Sequence, residues 1–387
     1  LNERYFNAPT PGAANGSGLA DLGAAITSAN HTPTLPTSSD EITVAVTVTP
    51  GISPLSRVTL HYRVMFSETF TTTMLDDGTH GDGAANDGVY GASIPAGVAT
   101  PGEMVRYYIT AEDSESRISR YPFFQDPTGS AEYLGTVITD PTITTQLPVL
   151  QWFISDTLAA ETRGGTRASF FYDGTFYDNV FVRLRGGFST SFPKKSFKIE
   201  FNQGEYFKFS PDEEAVDEFN LNTTYSDQSY IRPVLAFESY RDAGSIYSIS
   251  FPMRVHRNAS FYSVALFIEQ PDSTYLKRQG LDENGALYKA SWNVLDVVNN
   301  RIEKKRPKNN DKSDLQAFID GIHLTGDERT AYLFDHVNLP ATINYLATAF
   351  IIQDWDTIPR NYYLYRDTEG TGEWMFFPWD KDLTFGN

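Results

Sequence analysis

The chain has 387 residues, 40% of them apolar and 14% aromatic, which is enough for two domains with buried cores. Its 49 acidic and 31 basic residues give a net charge of −18, which argues against nucleic acid as a partner because phosphate binding needs an excess of Lys and Arg. Cysteine is absent, which excludes disulfides and thiolate chemistry, and no run of about 18 apolar residues predicts a membrane-spanning helix.

Residues 1 to 40 are rich in Pro, Gly, Ser and Thr and carry little charge, which predicts an extended linker. The chain opens at Leu1 without a Met or a recognisable signal sequence, so we expect a fragment or processed form of a longer protein. The Cys-free acidic composition, rich in Thr, Asn, Gly and Tyr, suggests a secreted bacterial protein.

An antiparallel β-sandwich is predicted for residues 41 to 140. Apolar and polar residues alternate from Ile42 to Val48, from Val58 to Val64 and from Val105 to Ile109, the pattern of strands with one buried face. Turn residues separate these runs, which favours a sandwich of the immunoglobulin or fibronectin type III kind.

One loop of this sandwich is a candidate calcium site. Its possible oxygen ligands, interleaved with glycines, are Asp76, Asp82, Asn86 and Asp87. The spacing is not that of an EF-hand and no closing Glu follows. A Gly/Asp/Asn cluster between strands is more often a long turn, so both interpretations stay open.

A second domain is predicted over residues 146 to 387. Near its start a strand leads to the loop Gly186-Gly187, and a strand that carries Lys194, Lys195 and Lys198 follows. Backbone N–H groups of such a loop, together with nearby cations, can approach a polyphosphate. The alternative is an exposed hairpin with solvated lysines.

The clearest helix is predicted from Asp227 to Gly244, with Asp227 or Ser229 as its cap. Its predicted inward stripe comprises Ile231, Val234, Leu235 and Glu238. A carboxylate on that stripe would need a Lys partner, although Glu238 can equally be a half-exposed surface charge.

Further elements follow in the sequence. Strands are predicted over residues 252–256 and 261–268, and helices from Asp272, over 314–322 and over 340–353. Residues 300 to 312 form the only basic run, which predicts a mobile loop or a site that attracts an acidic peptide.

The last stretch, residues 354 to 386, reads as a hairpin with strands over 362–365 and 374–377 between two acidic turns. Asp356 and Asn361 have the spacing of the protein-kinase catalytic loop, and Asp380 matches the later Asp that holds a metal. Facing carboxylates repel each other unless a cation such as Mg²⁺ lies between them. Asp, Asn, Pro and Gly also form plain turns, so the match needs support from elsewhere in the chain.

Residues from about 147 to 387 resemble the CotH (spore-coat protein H) kinase family of atypical protein kinases. The resemblance rests on Arg183 to Gly187, Pro193 to Lys198, Asp227 to Arg232, Phe267 to Asp272, Asn361 to Tyr365 and Pro378 to Gly386. It implies an α+β fold in which the β-sandwich precedes a kinase-like domain whose C-terminal lobe is incomplete. Residues 41 to 140 resemble the β-sandwich modules that accompany such kinases in secreted bacterial proteins, which implies a secreted or cell-surface location.

The resemblance also implies transfer of the γ-phosphate of ATP to Ser or Thr hydroxyls of extracellular or surface proteins. The implied ATP contacts are Arg185, Lys194, Lys195, Lys198, Glu238 and Glu269. Asp356 would be catalytic, and the implied ligands of Mg²⁺ or Mn²⁺ are Asn361, Asp380 and Asp382, with Asp354 in support. The alternatives are an inactive surface or adhesion protein of kinase-like fold and a metal-dependent phosphohydrolase. The six histidines show no metal-ligand spacing, which disfavours the phosphohydrolase.

Overall fold

The computed structural model describes residues 12–14, 23–291, 297, 302–356 and 360–386. The described chain is mostly β, with few helices. It divides into two compact units. The first comprises residues 1–182, 201–205 and 254–263, and the second comprises 183–200, 206–253 and 264–387. The first unit therefore continues beyond residue 146 and includes strands that the sequence predicts in the second domain.

Two antiparallel sheets form most of the first unit. The strands of one are β1 (Ala25–Thr32), β2 (Ile42–Thr49) and β5 (Val89–Ile94), in that order. Those of the other are β4 (Phe70–Met74), β3 (Leu55–Val64), β6 (Met104–Asp113) and β7 (Ile118–Tyr121), with β8 (Leu134–Val137) also paired to β6.

The predicted alternation of the sandwich strands is confirmed. In β2 every second residue from Ile42 to Val48 is buried, and β3 and β6 show the same period. These side chains form one apolar core between the two sheets. The strand β1 lies inside the predicted linker, yet it pairs with β2 from Ala25↔Thr49 to Thr32↔Thr43. Part of the linker is thus an edge strand.

The first unit also contains a predicted hairpin. The strands are β9 (Val149–Phe153), β10 (Thr166–Tyr172) and β11 (Thr175–Arg185), of which the last three residues belong to the second unit, and the short helix α1 (Thr157–Ala160) lies between the first two. β10 pairs antiparallel with β9 and β11. The connecting residues Asp173 and Gly174 both have positive φ, as a tight hairpin turn needs.

The second unit has two groups of strands and most of the helices. The first group is β12 (Ser196–Glu200) and β13 (Glu218–Asn222) with parts of β14 (Ser250–Arg257) and β15 (Ser260–Glu269), whose residues 254–257 and 260–263 belong to the first unit. The helices α2 (Arg232–Asp242) and α3 (Ser273–Arg278) accompany this group. The second is the antiparallel sheet β17 (Ile302–Arg306), β16 (Ala286–Ala290), β18 (Tyr362–Arg366) and β19 (Trp374–Pro378), in that order. Three helices accompany it, α4 (Ser313–Ile322), α5 (Gly326–His336) and α6 (Leu339–Ile351).

The predicted C-terminal hairpin is confirmed. β18 and β19 pair from Tyr362↔Pro378 to Arg366↔Trp374. This register places the residue before β18, Asn361, beside the residue after β19, Trp379. The two acidic turns therefore meet at one end of the hairpin. Aromatic and apolar side chains bury both strands, which holds this end in place.

The predicted inward stripe of α2 is confirmed only for Val234, because Ile231 and Leu235 are exposed. The helix begins at Arg232, and its buried side is formed by Pro233, Val234, Ala236, Phe237 and Tyr240. Glu238 is 48% exposed and lies 3.9 Å from Arg241 on the same helix. The alternative of a half-exposed surface charge is the one observed. Asp227 still serves the helix, because its carboxylate accepts the Arg232 N–H at 2.9 Å.

Among the helices in the described part of the chain, none has the length and apolar character needed to cross a membrane.

Candidate functional site

Backbone hydrogen bonds join the two acidic turns. We define the first acidic turn as Asp354–Asp356 with Arg360 and Asn361, and the second as Trp379–Asp382. The Trp379 N–H donates to the Asn361 carbonyl at 3.2 Å, and the Asn361 N–H donates to the Ala290 carbonyl of β16 at 3.1 Å. The pairing of β18 with both neighbouring strands thus continues into the turns.

The first acidic turn brings Asp356 and Asn361 together, as their spacing predicts. The Asn361 side-chain nitrogen donates to Asp356 Oδ2, and Arg360 Nε lies 2.5 Å from Asp356 Oδ1. Because the amide nitrogen of Asn361 is engaged, its oxygen is the atom suited to bind a cation. Asn361 has a φ of +64°, a left-handed conformation that Asn adopts more readily than most residues.

The second acidic turn carries Asp380 and Asp382. Within the described residues the Asp380 carboxylate makes no hydrogen bond or ion pair, and its φ is +57°. Ser226 Oγ donates to Asp382 Oδ2 at 2.5 Å. Burial raises the pKa of Asp382 to about 6, and the negative charges of Asp380 and Asp356 add to this rise. The carboxylates of Asp356, Asp380 and Asp382 are thus close enough to repel one another, and this repulsion favours binding of a cation.

A buried ion pair links the turns and was not predicted. Lys381 Nζ lies 2.8 Å from Asp354 Oδ2, with the side chains 0% and 1% exposed. The same ammonium donates to the Asn361 carbonyl at 3.2 Å. Burial lowers the pKa of Lys381, whereas the charge of Asp354 opposes this effect. Asp354 therefore pairs with a lysine that the motif does not indicate, and its support of the metal ligands stays a prediction.

Two cations lie against the indole of Trp379, next to Asp380. The Arg185 guanidinium carbon is 5.4 Å and the Lys289 Nζ 5.2 Å from the ring centre. Arg185 also donates to the Asn222 side-chain oxygen. Burial, and after it the positive charge of Arg185, lowers the pKa of Lys289 to about 8, against the opposing effect of Asp380.

Lys289 was missed by the sequence interpretation. The available signal was a lysine inside a short, otherwise apolar strand, Ala286–Ala290. Its strand neighbour in β18 is Tyr363, whose ring packs edge-on against Trp379 at 5.4 Å between centres. Only this pairing reveals that the lysine points towards the second acidic turn.

The three lysines after the glycine loop have different surroundings. Lys194 Nζ donates to Thr224 Oγ1 at 2.5 Å and to a backbone carbonyl, and burial lowers its pKa to about 8. Lys195 Nζ donates to the carbonyl of Thr190 at 2.8 Å, in the loop itself. Lys198 lies between two carboxylates, 3.2 Å from Glu200 and 2.6 Å from Glu218. In the part of the chain that the structure describes, Lys194 and Lys195 have no carboxylate partner.

Of the two glutamates that the resemblance links to ATP, one lies in a buried ion pair and the other lies at the surface. Glu269 is 1% exposed, and its carboxylate pairs with Arg278 Nε at 2.8 Å and accepts the Ile249 N–H at 3.0 Å. Burial raises the pKa of Glu269, against the effect of Arg278. Glu238 is at the surface, and no described contact joins it to the acidic turns.

In the loop predicted as a calcium site, the carboxylates accept hydrogen bonds from backbone N–H groups of the loop itself. Asp82 accepts N–H groups from Asp77, Gly78 and His80 at 2.7 to 2.9 Å. Asp76 accepts from residues 87 and 88, and Asp87 accepts from residues 84 and 89. Asn86 occupies a turn position with a φ of +64°. A long turn accounts for these contacts, and calcium binding stays a prediction.

The donors at the acidic turns suit a cation shared with a substrate. No group of three or more His, Cys, Asp or Glu residues within the described ranges is arranged to hold a metal. Asp380, Asp382 and the Asn361 oxygen offer two carboxylates and one amide. Mg²⁺ is usually bound by one or two carboxylates together with waters and substrate phosphates, so these donors fit that mode.

Comparison with known proteins supports the sequence resemblance. The family model described as CotH kinase protein matches residues 182–387, more than half of the chain. The chain belongs to the CotH kinase protein family. The model of the second Ig-like domain of conditioned medium factor matches residues 39–108. The predicted family and the immunoglobulin-like module are therefore confirmed.

A curated relative of this CotH protein is the inner spore coat protein H of Bacillus subtilis (strain 168). The two are 26% identical over 221 residues, which cover 54% of this chain and 59% of the relative. The chain thus spans less than two thirds of that relative's length. Both acidic turns, Arg185, Lys194 and Lys289 lie inside the CotH match, and the calcium candidate lies inside the Ig-like match.

Proposed function

We propose that the CotH region is a kinase-like α+β domain that transfers the γ-phosphate of ATP to Ser or Thr hydroxyls of proteins. The observation that carries this proposal is the meeting of Asp356 and Asn361 with Asp380 at one end of the β18–β19 hairpin. Two buried or half-buried cations adjoin the same turn. Acid, amide and cation are the groups that phosphoryl transfer needs in one place.

The cations are proposed to receive the nucleotide phosphates. Arg185 and Lys289 flank Trp379 beside Asp380, and both are half-buried. A cation with little hydration neutralises phosphate oxygens more strongly than an exposed one, because the local dielectric is lower. Lys194, near the glycine loop, is the third cation proposed for this role.

Asp380, Asp382 and Asn361 Oδ1 would hold Mg²⁺ or Mn²⁺. When bound, the ion neutralises charge on the β- and γ-phosphate oxygens. The hydrogen bond from its own nitrogen to Asp356 fixes the Asn361 amide, so its oxygen is oriented before any ligand arrives. Ser226 orients the carboxylate of Asp382 in the same way.

Asp356 is proposed to orient the acceptor hydroxyl and to take its proton. The hydroxyl oxygen bonds to the γ-phosphorus while the bond from that phosphorus to the β–γ bridging oxygen breaks, and ADP leaves with the bond's electron pair. Arg360 and Asn361 hold the two carboxylate oxygens of Asp356 and restrict its rotation. Catalysis here is positioning and charge neutralisation.

The place of action is inferred from the relative. Because that protein is named as a spore coat component, we infer a bacterial coat or cell-surface location for this chain and protein substrates at the same surface.

The proposal is tested by incubating the protein with γ-labelled ATP, Mn²⁺ or Mg²⁺ and a Ser/Thr-rich acceptor protein. The wild-type chain is expected to transfer label, whereas Asp380→Ala and Asp356→Ala lose about 100-fold or more of the rate. The matched control is Asp242→Ala, at an exposed carboxylate at the end of α2. Equal labelling by wild type and Asp380→Ala would falsify the proposal.

A second candidate is an inactive surface or adhesion protein of kinase-like fold. Three of the six implied ATP contacts, Lys198, Glu238 and Glu269, are engaged in ion pairs, which favours this candidate. It predicts no label with any variant and no nucleotide binding.

A further inference from the structure

Lys381 occupies an unusual position between two acidic residues of the candidate site. In sequence it separates Asp380 from Asp382, yet its own side chain is fully buried and pairs with Asp354. A lysine side chain is rarely fully buried unless it forms an ion pair, because burial removes the hydration of its ammonium group. Here the partner carboxylate is buried as well.

The ammonium of Lys381 joins three separate segments of the chain. Asp354 follows helix α6, Asn361 precedes β18, and Lys381 follows β19. The Nζ atom lies 2.8 Å from the Asp354 carboxylate and 3.2 Å from the Asn361 carbonyl. One cation thus ties the first acidic turn to the second from within the fold.

Asp354 extends these contacts towards the proposed catalytic residue. Its Oδ1 accepts the Asp356 N–H at 3.3 Å, and its Oδ2 accepts the Tyr240 hydroxyl of α2 at 3.4 Å. The position of Asp356 therefore depends on a carboxylate that Lys381 holds.

Lys381 lies among carboxylates whose mutual repulsion its positive charge reduces. The two turns contain four carboxylates, those of Asp354, Asp356, Asp380 and Asp382. Arg360 pairs with one of them at the more exposed side. Without a cation between the turns, these carboxylates would push the turns apart.

We propose that Lys381 is a positioning residue, a built-in cation that assembles the two acidic turns before any divalent cation binds. The part of the proposal that concerns metal affinity rests on the proposed function, whereas the assembly of the turns does not. Loss of the lysine should loosen both turns together. Loss of Lys381 removes a positive charge from the site, which by itself would favour cation binding. We nevertheless expect weaker divalent-cation binding, because the ligands are no longer held in one place.

Hydrogen exchange of the full chain tests the assembly without metal or activity. In Lys381→Met, amides of both acidic turns are expected to exchange about tenfold faster or more, while the central amides of β18 and β19 are unchanged. Lys381→Arg should restore most of the protection. Faster exchange confined to the second turn, or no change, would overturn the proposal.

Mn²⁺ titration of the folded variants, followed by the electron paramagnetic resonance signal of free Mn²⁺, tests the consequence for the site. Lys381→Met is expected to bind Mn²⁺ about tenfold more weakly than wild type. Lys277→Met, which removes an equal charge from an exposed position on α3, should bind as wild type does. Unchanged or tighter binding by Lys381→Met contradicts the proposal.

Two further outcomes are separable. If Lys381→Met does not fold, hydrogen exchange of Asp354→Asn decides, because this substitution keeps the shape of the side chain and removes the charge that pairs with Lys381. Faster exchange in both acidic turns of Asp354→Asn supports the proposal. Unchanged exchange in either turn overturns it. If wild type binds no Mn²⁺, the proposed phosphotransferase site fails, and the exchange result alone decides the role of Lys381.

Discussion

The side-chain amide of Asn361 donates a hydrogen bond to the carboxylate of Asp356, five residues earlier in the chain. This bond orients two groups at once. It turns one carboxylate oxygen of Asp356 towards Asn361, and it directs the amide oxygen of Asn361 away from that contact. A substitution of either residue should therefore change the orientation of the other side chain.

The substitution Asn361→Asp should show this coupling. A second carboxylate would replace the donor, so that repulsion replaces the hydrogen bond although the shape is nearly the same. We expect phosphotransfer to fall about 100-fold with little change of fold, measured with labelled ATP and circular dichroism. Asn310→Asp, at an exposed position, is the matched control. Activity of Asn361→Asp near that of wild type would show that the bond has no role in transfer.

Lys289→Met should separate function from stability. The lysine is desolvated and no carboxylate pairs with it in the described structure, so an apolar side chain of similar length should leave the melting temperature unchanged or raise it. ATP affinity should fall about tenfold or more, because a phosphate partner is lost. Fluorescent ATP-analogue binding and thermal unfolding measure the two effects. A loss of stability with unchanged ATP affinity would assign Lys289 a structural role instead.

Divalent-cation binding should depend on pH through Asp382. Its pKa is raised to about 6, so the carboxylate is largely ionised at pH 7 and only about one tenth ionised at pH 5. A proton competes with the cation at this group, and Mn²⁺ affinity should fall about tenfold from pH 7 to pH 5. Isothermal titration calorimetry at several pH values measures this. In Asp382→Asn the affinity should be lower at pH 7 and nearly independent of pH over this range; an unchanged pH slope would contradict the assignment.

The Glu269–Arg278 pair should be needed for folding. Arg278→Leu leaves a buried carboxylate without its counter-ion, which typically costs about 3–5 kcal/mol of unfolding free energy. Replacing both residues with Leu should recover much of this loss. Urea denaturation measures both variants, with Lys277→Leu, the exposed neighbour on α3, as the control. A loss below about 1 kcal/mol in Arg278→Leu would mean that water reaches Glu269 and that it remains available to a ligand.

Local patterns were sufficient for several elements of the chain. Strands β2, β3 and β6 follow from alternation, because one face of each is buried. The β18–β19 hairpin follows from two aromatic runs that flank a glycine-rich turn. The acidic residues of the turns were found because their order along the chain matches a known motif.

Other features depend on tertiary contacts that no local pattern contains. β1 has a weak alternation and only its pairing with β2 makes it a strand. The periodicity of α2 leaves Glu238 either on the inward stripe or half-exposed, and only the packing of Pro233, Ala236 and Phe237 decides for the exposed position. Nothing in the sequence distinguishes Lys289 and Lys381 from surface lysines, and only the meeting of β16, β18 and β19 shows that Lys289 is half-buried and Lys381 buried.

The packing of Trp379 gives the protein an optical reporter of its own site. Its indole is almost fully buried, next to Asp380, and two cations lie against it. A polyanion that draws Arg185 or Lys289 away from the ring would change the electric field at the indole and hence its emission. Replacing the other four tryptophans of the chain with Phe would leave a single tryptophan, and its emission, excited selectively beyond the tyrosine absorption band, would follow occupancy of the site without label or coupled assay.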